Sequence, residues 1–339
     1  MRLRARARVG RGGMMRRSGI TLVSLLLLLL ATGCQLSGQA VGSQQITITI
    51  AVVPGFANAP LQVAVKDGLF TRHRVGVTVQ TYQTLRQAYA ALTSGQADVI
   101  SGDYAGLLYM QAHAPHAQLR LIADGYDATP GVMEVLTLPG STITAPQDLE
   151  GVAVATPPQD LASFSTHAPY NIETLATEAA LQSDGVSPSS VQWTAMAPSS
   201  MISALRDHTV SAIVTTQPYI LQAEAELGAV ELLDVCSGVT ASLPLSGYFS
   251  TVGFARGHAA ALHGFQAGLN EANSSTAQPG TVQSVLRTLP GMSAREAALV
   301  TIGRYPTFLS VGQVQRVADL MYGTGMITTT ISVKNLMFG

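Results

Sequence analysis

The sequence predicts an α/β protein built as two lobes, each a mainly parallel sheet flanked by helices. Three observations carry that class. Strand-like runs alternate with amphipathic helical segments along most of the chain. The alternation restarts beyond a break at Pro139-Gly140. The composition, 47% hydrophobic and 12% charged, is that of a well-packed globular chain, and the roughly 300 residues that remain beyond an N-terminal leader suit two domains.

Order begins at ITITIAVVP, residues 46–54, where alternating β-branched residues predict a strand that stops at a proline. In APLQVAVKDGLF, Leu61, Ala64 and Val65 share one helical face and Gly68 supplies the stop. VGVTVQTY is the second strand. Thr84 opens a capping box with Gln87, and Leu85, Ala88, Tyr89 and Leu92 line the helix that runs to Gly95. ADVIS is a short buried strand, so the series implies right-handed crossovers and a parallel sheet. LRLIADG and VMEVLTL add strands before the break. GVAVAT opens the second series: a helix over 170–183 with Ile172, Leu175, Ala176 and Ala179 facing inward, then strand VQWTAM, helix 199–208, strand VSAIVTT, helix 218–227 and strand VELLDV. SLPLSGYFS reads as a second broken crossing. In the mainly helical remainder, Ser293 with Glu296 and Ser310 with Gln313 form capping boxes, and Gly303 and Gly323 serve as stops.

The beginning of the chain reads differently. Seven arginines and no acid occupy residues 1–17, an apolar run follows from Ile20 to Ala31, and small residues precede Cys34. Those features describe an export signal. The apolar run of roughly twelve residues rises only about 18 Å as a helix, short of a hydrocarbon core of about 30 Å, which disfavours a transmembrane anchor. Ala31-Thr32-Gly33-Cys34 resembles a bacterial lipobox, in which the cysteine is lipidated and heads the mature chain; ordinary secretion with an incidental cysteine is the alternative. Arg16-Arg17 hints at a twin-arginine signal whose flanking residues fit poorly. The expected plan is a signal peptide over 1–33, the lipidated cysteine and a flexible tether over 34–45, a first lobe over 46–138, a second over 139–243, and a return to the first lobe over 244–339. All twenty acids but only twelve of the nineteen basic residues follow Cys34, leaving a net charge of −8 there, which argues against nucleic acid. With Cys34 lipidated, Cys236 is alone and no internal disulfide forms.

In open α/β sheets, ligands collect beyond the carboxyl ends of the strands. Here those loops are PGFANAP, SGDYAG, PPQDLASFSTHAPY and TTQPY, all rich in glycine, proline, hydroxyl and aromatic residues that suit a small-molecule pocket.

Several stretches together are similar to one family. LQVAVKDGLFTRHRVGVTVQTY, ALTSGQADVISGDYAG, LPGSTITAPQDLEGVAVATPP, MISALRDHTVSAIVTTQPY and LGAVELLDV, in that order and spacing over residues 46–325, resemble ABC-transporter substrate-binding proteins of the nitrate/sulfonate/taurine and thiamine-pyrimidine-precursor group. The resemblance implies a two-lobed periplasmic-binding-protein-like fold (type II). It further implies a ligand cleft between the lobes, hinged closure on one small molecule, and delivery to a membrane permease driven by an ATPase. It places the loop after the first strand at the cleft, with Phe56 as a wall and Asn58 as a polar reader; the same residues could cap the core and a helix. Ser101, Asp103 and Tyr104 follow the third strand. Main-chain N–H groups there would favour an anion, but the Asp103 carboxylate opposes one and suits a helix cap or a cationic or hydrogen-bond-donating ligand. Tyr104, Tyr219 and Tyr248 could stack on a ligand or serve structure. Phe164, Ser165 and Thr166 lie before a helix, where hydroxyls suit an acidic head group, and Thr216 and Gln217 end a strand that the resemblance turns toward the cleft. His167 has no second histidine at ligand spacing, so no metal and no cofactor are expected. The expected protein is an extracytoplasmic, monomeric, lipid-anchored solute-binding component that performs no catalysis. Its ligand is expected to be a small organic solute, sulfonate/taurine-like or thiamine-pyrimidine-like. A thiamine-pyrimidine-synthase-like enzyme would carry a pyridoxal-binding lysine and a histidine near Gly102–Gly106, and neither is present. A ligand-sensing receptor domain is the third class; fold alone separates none of these.

Overall fold

The computed structural model describes residues 46–113, 118–158, 171–278, 280–289 and 292–339. Cys34, the tether, and Phe164, Ser165, Thr166 and His167 lie outside the described residues.

The first half builds β1 (Ile46–Val52), α1 (Ala59–Lys66), α2 (Leu69–Arg72), β2 (Val75–Thr81), α3 (Leu85–Thr93), β3 (Val99–Asp103), α4 (Tyr104–His113) and β4 (Leu119–Asp127). The second half begins with β5 (Met133–Thr137) and β6 (Ala153–Thr156), and continues through α5 (Ile172–Ser183), β7 (Gln192–Ala195), α6 (Pro198–Arg206), β8 (Ala212–Thr216), α7 (Tyr219–Leu227) and β9 (Val230–Asp234). The chain then returns through β10 (Pro244–Thr251), α8 (Val252–Gly257), α9 (Ala259–Ser275), α10 (Thr281–Leu286), α11 (Ala294–Leu299) and α12 (Val311–Gly323). Among the described residues these strands form two five-stranded sheets, one ordered β2-β1-β3-β10-β4 and the other β7-β6-β8-β5-β9. Each carries one strand that runs against its neighbours: β10 pairs antiparallel with β3 and β4, and β5 pairs antiparallel with β8 and β9. The architecture is therefore two-lobed and mainly parallel, as expected, and each antiparallel strand arrives directly from the other sheet.

Local signals account for the helices. Thr84 accepts from the Gln87 N–H and Asn171 from the Thr174 N–H, each closing a first turn. Ser293 and Glu296 form the reciprocal capping box expected. Gly68 and Gly95 take positive φ beyond the ends of α1 and α3, a region that favours glycine. The core of the first sheet is aromatic: Phe70 stacks on Phe265 at 5.4 Å, and Tyr248 meets the edge of Phe265. α9 packs on α1 and α2, so the C-terminal helices return to the first lobe.

Two expectations need correction. Pro139-Gly140 does not separate the lobes. Because β5 pairs with β8 and β9, the chain changes sheet before Met133, through Ala128–Val132, and residues 133–138 belong with the second sheet. SLPLSGYFS is likewise not a broken crossing, because Pro244–Thr251 is a buried strand. Proline is tolerated at its first position, where no ladder hydrogen bond is lost. Gly247 is required within it, since a Cβ there would lie 2.5 Å from the Tyr104 hydroxyl.

Candidate functional site

The loops that end β1 and β3 are tied to each other. The Asn58 amide donates to the Val53 carbonyl at 2.7 Å, and the Ser101 hydroxyl donates to Asn58 Oδ1 at 2.7 Å. Asn58 is thereby a brace inside the first lobe and makes no helix-cap hydrogen bond. Phe56 is buried, and its carbonyl accepts from the Tyr305 hydroxyl at 2.9 Å. Tyr104, expected as a stacking surface, is fully buried with its ring edge-on to Phe249 and its hydroxyl donating to Asp124 at 2.9 Å. It is a core residue. Burial and the Asp127 charge push the Asp124 carboxyl up to about 7, against the opposing hydrogen bond from Tyr104.

Asp103 stands at the junction of the two lobes. Its carboxylate accepts from the Gly106 N–H at 2.7 Å, the geometry of an N-cap on α4. It is also held by the Ile172 N–H, at the start of α5 in the second lobe. Two helix N-termini thus converge on one carboxylate belonging to the chain itself. Desolvation nonetheless dominates and raises Asp103 to about 6. Glu173, in the first turn of α5, is raised to about 7 by desolvation and by the charge of Asp103. Neither carboxylate forms an ion pair among the described residues.

The second sheet contributes a different kind of surface. Glu134 on β5 lies opposite Thr215 on β8 in the antiparallel register, so the two share a face. Gln217 follows two residues on, and its amide donates to the Gly131 carbonyl at 3.3 Å. Glu134 Oε2, Thr215 Oγ1 and Gln217 Oε1 are buried without a hydrogen-bond partner among the described residues. Desolvation, then the charges of Glu231, Glu224 and Asp234, raise Glu134 to about 7. Thr216 and Tyr219 are partly exposed at the end of β8 and the start of α7, with Tyr219 packed on the smaller hydrophobic cluster. Cys236, only 1% exposed, has its thiol pushed up to about 12, first by burial and then by Asp234, with Glu134 and Glu173 adding to the shift. One thiol therefore senses both acids.

The structure thus joins Asp103 to the start of α5 and aligns Thr215 with Gln217, while it withdraws Tyr104 into the core. Glu134 and Glu173 are absent from the sequence-based set. Glu134 left a signal, a lone acid in the apolar run VMEVLTL; Glu173 left none, because its meeting with Asp103 depends on how the two halves come together.

Two mixed sheets exchanging one strand each, with their strand-end loops meeting, define the two-lobed fold of periplasmic binding proteins. Solved structures share it. Over 86% of this chain and 97% of the other, the periplasmic aliphatic sulphonate binding protein SsuA from Escherichia coli superposes with a TM-score of 0.68 at 20% identity. The zinc-bound ligand-binding component of an ABC-type import system from Staphylococcus aureus gives 0.69 at 15% identity, over 86% and 96%. The desulfurization enzyme DSZB gives 0.65 at 14% identity, also over 86% and 96%. The NMT1-like family model matches residues 42–236, more than half of the chain, and the chain belongs to that family. No curated protein matches it.

Proposed function

We propose that the chain is the solute-binding component of an ABC importer. It captures a small organic solute between its two lobes by hinged closure, hands it to a permease, and is held at the outer face of the membrane through lipid on Cys34. The observation that carries this reading is the meeting of Asp103, at the end of β3, with the first turn of α5. A ligand touching both strand-end regions would favour the closed arrangement over the open one, which is what hinged capture requires. Among the described residues no helix is long and apolar enough to cross a membrane.

An enzymatic reading has the DSZB fold in its favour. Cys236 gives it little help, since a thiol held protonated by burial is a poor nucleophile. Small-angle scattering of the purified chain against a panel of small solutes tests the binding reading. A bound solute should shrink the radius of gyration and be recovered unchanged; turnover of the solute would sink the proposal. Intact mass of membrane-extracted protein should show a lipidated N-terminal Cys34, and Cys34→Ala should release the chain into the medium.

A further inference from the structure

We infer that the solute is an organic cation, carrying a protonated amine or a comparable N–H-rich head, held between Asp103 of the first lobe and Glu173 of the second. This inference rests on the solute-binding reading and deepens it.

The first ground is the pair itself. Asp103 and Glu173 come from different lobes and act on each other as like charges, and neither is in an ion pair among the described residues. In the absence of solute, their repulsion opposes closure; a cation between them converts that repulsion into attraction across the cleft. An anion would meet a carboxylate at the place where the N-termini of α4 and α5 converge. The favourable end of both helices is already occupied by Asp103.

The second ground is independent of charge. Ser246 lies directly opposite Asp103 in the β3–β10 register, is 8% exposed, and its hydroxyl has no hydrogen-bond partner among the described residues. Glu134 Oε2 and Gln217 Oε1 are likewise buried and unpartnered, and both are acceptors. Glu134 and Thr215 face each other across β5 and β8, with Gln217 just beyond, so the orphans of the second sheet gather at one strand end. Buried acceptors in excess of donors call for a ligand that brings N–H groups.

The test is a calorimetric titration of the purified chain, near neutral pH, with short alkylamines, diamines and alkylguanidines, each matched to the alkanesulfonate of the same length. Amines or guanidines should bind and sulfonates should not. Glu173→Gln should weaken that binding about tenfold to a hundredfold. The same variant should hold or raise the melting temperature without ligand, because it removes a desolvated carboxylate beside the like charge of Asp103; an acid serving only structure would lower it. Asp103→Asn combined with Glu173→Gln should admit a sulfonate that the natural chain rejects. Binding of sulfonates to the natural chain, or no response to any cation in the panel, overturns the inference. Sulfonate binding with closure would leave the solute-binding reading standing, whereas turnover of either class would remove both.

Discussion

The two sheets have the same topology, yet the loops that end β1 and β3 and the paired face of β5 and β8 differ in their hydrogen bonding. At the first sheet, Asn58, Ser101, Tyr104 and Tyr305 all find partners within the lobe. At the second, Glu134, Thr215 and Gln217 each leave a buried polar atom unpartnered. The first sheet has orphans too, Ser246 and Tyr248 on β10 and Asp127 Oδ1 on β4, so the contrast lies between its braced loops and the β5–β8 face, and it matters because buried polar groups are ordinarily satisfied. On the proposed solute-binding reading, the braced loops would serve as a preformed wall and the β5–β8 face would take hydrogen bonds from the solute.

The largest expected effect lies deep in the wall. Phe249 on β10 is fully buried and receives the edge of Tyr104. Phe249→Ala should cost about 3–5 kcal/mol in a urea unfolding titration. A loss no greater than that of a surface substitution would show that the return strand is not the centre of the first lobe.

The pH dependence sharpens the contrast next. Asp103 is raised to about 6, and Glu134, Glu173 and Asp124 to about 7, all chiefly by desolvation. Each binds its proton more tightly folded than unfolded. The stability this contributes is complete below the unfolded values near 4 and is lost as pH rises through 6 to 7. Asp148 and Glu296 are shifted down by hydrogen bonds at their helix starts and act the other way, in the window below their ordinary values. Melting temperature should therefore fall between about pH 5 and pH 8, and a bound cation should flatten that fall. A melting temperature that rises over the same range would contradict the desolvation of these acids.

Much of this fold was legible in the sequence. Alternating β-branched runs marked the strands, and Thr84, Ser293 and Ser310 marked helix starts that the structure confirms. The lobe boundary was less so. VMEVLTL is an apolar run that would fit either sheet, and only pairing with β8 and β9 assigns it. Two Pro-Gly pairs flank it, Pro130-Gly131 and Pro139-Gly140, and local sequence cannot tell which one carries the crossing. SLPLSGYFS misleads for a related reason: its proline and glycine look like breakers, yet one opens a strand and the other makes room for Tyr104. At the site, Asp103 before a helix was readable as a cap, whereas its second partner, the α5 N-terminus, is nearly seventy residues further along the chain.

A smaller effect is expected where Asn58 braces the wall. Asn58→Ala removes the bond to Val53 and leaves the Ser101 hydroxyl buried without its acceptor. A loss of about 1–3 kcal/mol in the same urea titration follows from stranding a buried polar group. The loop at residues 53–58 should also exchange its amide hydrogens faster.

The smallest effect separates the two regions most cleanly. Thr215 is 1% exposed, and its hydroxyl, unlike that of Ser101, has no partner among the described residues. Thr215→Val keeps the shape and removes a polar atom that is desolvated without return, so stability should be unchanged or rise by up to about 1 kcal/mol. Solute affinity should fall in the same protein if the hydroxyl faces the ligand. A structural hydroxyl would give the reverse pattern, lower stability with affinity intact. Measured beside Asn58→Ala, the pair distinguishes a buried brace whose bonds are made from a buried hydroxyl that has none.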